Sequence, residues 1–232
     1  TTINAITQRT LTPFRIRQLS AVLQAGARID RDRLAALLQA NGYSRSDTVA
    51  DAGEYAIRGS LVDLWPSGLP HGLRLDFFGD EIESIRAFDP ADQRTIERVA
   101  SFTLLPASET LLDEESIKRF RSAYRERYGA TATGDPLYQA ISEGRRLSGM
   151  DHWLPLFEEK LSTLLDHIGE GAVFVRDAGT TAAAEARFDA ISDYFDNRDK
   201  AQSADPGSYR PLPPEALYLS QAQWADVMAS HD

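Results

Sequence analysis

The acids Asp76, Asp80, Glu81 and Glu83 come nearest, by type and spacing, to a reactive constellation, because clustered carboxylates hold hard cations through oxygen ligands. Strand alternation argues against that use. It puts Asp76 and Glu83 on the polar side of their strands and Asp80 at a hairpin tip, which favours a solvated face. A carboxylate-metal hydrolase is therefore the alternative reading. The four histidines, His71, His152, His167 and His231, show neither the paired spacing of a zinc helix nor local carboxylate company, and each reads as a surface or core-edge residue. With no cysteine, disulfides, thiolate metal sites and thiol nucleophiles are excluded, and no G-x-S-x-G elbow occurs. None of the three lysines follows a glycine, so a phosphate-binding loop is absent. The expectation is no catalytic residue, no cofactor and no metal.

Recognition is the other chemistry on offer. Side chains alternate across a strand, so Leu73, Leu75 and Phe77 share a core face, while Arg74, Asp76 and Phe78 share the opposite one. Arg58 ends its own strand in a similar setting, with Tyr55 and Ile57 pointing the other way. Arginine and large aromatics are enriched at interface hot spots. The pattern leaves a second reading open, in which Phe78 caps the end of the sheet and both arginines are solvated.

The elements that must hold these residues are legible in part. Residues 1–7 suit a short strand and residues 14–24 a helix. Residues 30–40 predict an amphipathic helix with Asp30 as cap and Asn41-Gly42 as stop. From residue 54 to 89 the period changes to that of strands, broken at Gly59-Ser60, residues 66–72 and Gly79-Asp80, which predicts an antiparallel meander with a further strand within residues 97–105. Helices are expected over 116–128, 136–145 and 180–195, with a last one ending near Ala229. Short strands are expected at 172–175 and 217–219, and a loop at 205–214.

Composition bounds the function. Apolar residues make up 42% and charged residues 26%, the balance of a folded, water-soluble protein. The chain begins with Thr1 and lacks a signal-peptide layout, which reads as an excised piece of a longer protein. Acids outnumber bases 35 to 25, leaving a net charge of −10 and little cation density for phosphates. Duplex DNA is expected to bind poorly, and the composition points to another protein as partner.

Several motifs are more specific. Gly42-Tyr43-x-Arg45, GEYAIRG at 53–59, RLDFFGDEIESIRAFD at 74–89 and LLPASE at 104–109 resemble domain 2 of the excision-repair protein UvrB and its counterpart in the bacterial transcription-repair coupling factor (Mfd) family. Gln93-Arg94-Thr95 and GMDHWLPLFEEKLSTLLDHI at 149–168 are similar to the Mfd form; a UvrB fragment is the alternative. Where UvrB carries an acidic Walker-B-type motif, this chain reads VFVRDAG, with Arg176-Asp177 in place of the acidic pair.

The resemblance implies an α+β protein: an antiparallel β-meander domain with a helix, inserted in a UvrB-like degenerate helicase-type α/β domain. Residues 1–28 would end domain 1a, 29–106 would form the UvrA-binding domain 2, and 107–232 domain 1b. It implies a non-catalytic, cytoplasmic docking module that recruits the repair ATPase UvrA to stalled transcription complexes and neither binds nor hydrolyses ATP. Carried over position by position, the family's UvrA contacts fall on Arg58, Arg74 and Phe78. RNA polymerase and DNA would be engaged by parts of an ATP-dependent translocase outside this chain, and a distant domain would mask the docking face.

Overall fold

The computed structural model describes residues 1–129, 134–168, 172–204 and 210–230, and it divides the chain into two units, 14–113 and the paired segments 1–13 and 114–232. The first element corrects an expectation. Residues 1–7 do not form a strand; Ile3–Thr7 is a helix, α1, because Thr2 Oγ1 accepts the Ala5 N–H at 3.3 Å and the Thr7 hydroxyl donates to the Ile3 carbonyl at 2.7 Å. Threonine hydroxyls that bond the local backbone make caps of residues that would otherwise favour strands. Strand β1 (Arg9–Leu11) follows.

The helix expected over 14–24 is also shorter. Helix α2 (Pro13–Leu19) stops where Ser20 Oγ donates to the Ile16 carbonyl at 2.6 Å, and strand β2 (Ala21–Gln24) begins. In α3 (Arg31–Ala40), Asp30 accepts the Arg33 N–H at 2.9 Å and Asn41 donates to the Leu37 carbonyl, so cap and stop lie where the sequence puts them. Leu34 and Leu38 form its buried stripe.

The meander follows as β3 (Ser44–Arg45), β4 (Glu54–Arg58), β5 (Leu61–Leu64), β6 (Gly72–Phe78), β7 (Glu81–Phe88) and β8 (Thr95–Val99). These six strands lie in sequence order in one sheet, antiparallel except for β3 on β4. Gly59 and Gly79 open the two-residue hairpin turns with φ of 61° and 60°, the positive dihedral a tight turn needs at its first position. The strand expected within 97–105 proves to be two. After Ala100 the chain leaves the sheet as β9 (Ser101–Leu104), which pairs with β2. One face of the sheet, with Tyr55, Val62, Leu64, Leu73, Leu75, Phe77 and Ile85, packs with Leu34 and Leu38 into the principal core of this unit.

The other unit is mainly helical: α4 (Glu114–Tyr128), α5 (Pro136–Ser142), α6 (Leu154–Phe157), β10 (Leu161–Thr163), α7 (Thr180–Ala204), α8 (Pro214–Leu217) and α9 (Gln221–Ser230). Strand β10 pairs with β1, and an aromatic cluster of Phe120, Tyr124, Tyr138, Trp153 and Phe157 forms the centre. Residues 172–175 are not a strand: no described strand pairs with them, and Val173 and Val175 face solvent. At 217–219 a single bridge from Tyr218 to Gln8 replaces the expected strand, because Pro214–Leu217 closes a helical turn first. Part of the loop expected at 205–214, residues 205–209, lies outside the described residues. The fold is α+β, and among the described residues no helix is long and apolar enough to cross a membrane.

Candidate docking face of the central sheet

The face of the sheet turned away from the principal core is built around a buried acid. Asp63 sits in β5 between the core residues Val62 and Leu64, yet alternation turns it to the other side, where it is 1% exposed. A carboxylate taken from water at that depth needs charge and hydrogen bonds to stay ionised. Arg74, its neighbour in the β5–β6 register, grips it with Nε 2.7 Å from Oδ1 and Nη2 2.9 Å from Oδ2, and Arg58 reaches Oδ2 from β4. The Asp63 hydrogen bond raises the Arg74 pKa further above its ordinary value, so the guanidinium is charged throughout.

Arg74 also lies 5.0 Å from the centre of the Phe88 ring, a cation–π position. Phe88 packs with Val49, Ala56 and Trp65 in a small second cluster on this side of the sheet. Its ring covers Gly72: a Cβ there would stand 2.4 Å from Phe88 Cζ. The loop after β7 closes over the same region, with Gln93 in a left-handed conformation (φ 63°) and its Nε2 donating to the Val49 and Pro90 carbonyls.

The three residues singled out from the sequence therefore differ in exposure. Phe78 is open to solvent at 80% beside Phe77 at 5%, and the Arg58 side chain is 46% exposed. Arg74 corrects the expectation of a freely presented arginine: at 16% exposure it is largely committed to Asp63 and Phe88. Strand alternation alone does not single out Asp63, whose signal in the sequence is that it is the lone acid inside the apolar run LVDLW.

The acids considered for a metal are not gathered. Asp76 accepts from Arg86 at 3.2 Å and from Ser60 at 3.3 Å, Glu81 lies 3.7 Å from Arg28, and Asp80 and Glu83 are exposed. No group of three or more His, Asp or Glu among the described residues could hold a metal ion. His71 is exposed, His152 accepts from Arg198 at 3.1 Å, and the His167 ring lies 2.9 Å from the Leu11 carbonyl, while His231 is outside the described residues.

Comparison with known proteins bears on the same unit. Residues 22–109 match the UvrB interaction domain family. The chain is 38% identical over 221 residues to the transcription-repair-coupling factor of Haemophilus influenzae, covering 94% of this chain and 19% of that protein. It is 38% identical over 220 residues to the one from Escherichia coli K12, with the same coverage. With that of Bacillus subtilis it shares 31% over 190 residues, covering 75% of this chain and 16% of that protein. The chain thus spans less than a fifth of the length of these three relatives.

Proposed function

Residues 22–109 belong to the UvrB interaction domain family, within a chain related to the transcription-repair-coupling factors over 94% of its length, and from that premise we propose a non-catalytic docking module for the excision-repair ATPase UvrA. The observation that carries the reading is the neighbouring pair Phe77 and Phe78. The first is a core residue, whereas the second leaves a whole aromatic ring in water beside the arginine-bearing face. A large exposed aromatic next to guanidinium groups is the composition of an interface anchor.

In this reading residues 29–106 form the docking domain, and residues 1–28 and 107–232 are the flanking UvrB-like parts that present it. Arg58 and Phe78 contact UvrA directly; Arg74 contributes mostly by holding Asp63 and the sheet face in shape. Docking brings UvrA to transcription complexes stalled in the cytoplasm, while RNA polymerase and DNA are engaged by other parts of a longer, ATP-driven protein. A distant domain of that protein covers the face until it is needed.

The test is calorimetric titration of UvrA from the same source into this chain, with MgATP titrated separately. Saturable heat with UvrA and none with ATP supports the proposal. Absence of UvrA binding, or ATP turnover by this chain, removes it.

A further inference from the structure

The outer face extends beyond the three residues considered so far. The registers line up Asp63, Arg74, Arg86 and Arg98 in one file across β5, β6, β7 and β8. With neighbouring strands about 4.8 Å apart, Arg98 lies roughly 10 Å from Arg74. Like charges directly opposite one another destabilise a sheet, so each needs an answering acid. Arg74 has Asp63 and Arg86 has Asp76. Arg98 is exposed, and among the described residues no carboxylate pairs with it.

Ile96 lies two residues from Arg98 on the same strand and is 48% exposed. The pairing shifts here: Ala87 opposes Glu97 and Phe88 opposes Thr95, so Ile96 is an extra, bulged residue. Glu97 and Val99 line a groove with Leu73 and Ala87 on the core side, which leaves Arg98 between them to the outer side, while Ile96 stands exposed at the bulge on the sheet's edge strand. A charge on an edge strand commonly guards against edge pairing, and that alone accounts for Arg98. It does not account for an exposed isoleucine beside it on a bulge, a device that re-aims side chains.

Interface size points the same way. A stable complex buries about 800 Å² on each partner, more than Arg58, Arg74 and Phe78 supply. We propose that the docking face runs across the sheet to its edge, where Ile96 and Arg98 meet an apolar and acidic patch on the same partner. The inference rests on the reading of this face as the UvrA contact. Arg98 then acts at the rim, through association rate and salt dependence, and Ile96 through dissociation.

The experiment follows association and dissociation of UvrA with the whole chain at low and high salt, for wild type, Phe78→Ala, Arg98→Glu, Arg98→Lys and Ile96→Ser, with melting curves to show that each variant folds. Arg98→Glu is expected to slow association about tenfold at low salt and to flatten the salt dependence, while Arg98→Lys stays near wild type. Ile96→Ser is expected to speed dissociation about fivefold. If Phe78→Ala weakens binding while Arg98→Glu and Ile96→Ser behave as wild type, the extension is overturned and the docking reading stands. If Phe78→Ala also binds as wild type, the docking reading fails and the extension fails with it.

Discussion

Arg74 closes a two-point hydrogen bond on Asp63, one contact at 2.7 Å and the other at 2.9 Å, across the β5–β6 register. Removing one partner of a buried pair leaves an uncompensated charge, which typically costs about 3–5 kcal/mol. Arg58 still reaches Asp63, so Arg74→Ala is expected at or below the low end, about 3 kcal/mol, in urea denaturation. Arg58→Ala, with the stronger clasp intact, should cost about 1 kcal/mol or less. Binding losses in Arg74→Ala must therefore be corrected for unfolding, whereas those in Arg58→Ala report the contact itself.

Phe77 and Phe78 should separate folding from docking. Phe77→Ala empties a core position and is expected to cost about 3–5 kcal/mol. Phe78→Ala removes a side chain in water and should leave stability within about 0.5 kcal/mol. Equal destabilisation by the two would mean that Phe78 is packed.

How far the sequence discloses this arrangement depends on the range of the interactions. Helix α3 and both hairpins are legible because their determinants are local: the Asp30 cap, the Asn41-Gly42 stop, and glycines at the first turn positions. Strand β2 is not, because it exists by pairing with β9, and Leu23 meets Phe102 only once the chain has folded back. Alternation correctly puts Arg74 and Phe78 on the side opposite Leu73 and Phe77. It does not tell that Phe88 and Asp63 would occupy Arg74 while Phe78 stays open, since that follows from which strands become neighbours.

Gly72 is held small by its neighbour. An alanine methyl would press into the buried Phe88 ring at 2.4 Å, so Gly72→Ala is expected to destabilise by about 1–3 kcal/mol through overpacking. Trimming the ring with Phe88→Leu should make the alanine less costly than it is alone, a coupling that a double-mutant cycle reads directly. Simple additivity would show that the two side chains do not share the space.

His152 gives the helical unit a pH dependence. Burial first, and then the nearby Arg198, lower its pKa below the ordinary 6.5, with Asp151 pulling weakly the other way. Arg198 donates to Nδ1 at 3.1 Å, an arrangement that requires the ring's lone pair. The unfolded chain therefore takes up a proton near pH 6.5 while the folded chain resists it. The stability from the neutral ring is present above that pH and is lost progressively as pH falls below it. Melting temperature should drop between about pH 7 and about pH 5, and His152→Gln should flatten that drop. An identical profile in the variant would mean that other groups carry it.

The most direct measurement is the affinity of UvrA for the wild-type chain and for Phe78→Ala, by calorimetry on proteins with matched melting temperatures. An anchoring aromatic should cost at least about 2 kcal/mol, roughly a thirtyfold weaker dissociation constant, with no change in fold. A Phe78→Ala protein that binds UvrA within about twofold of wild type would contradict the assignment of this face as the docking site.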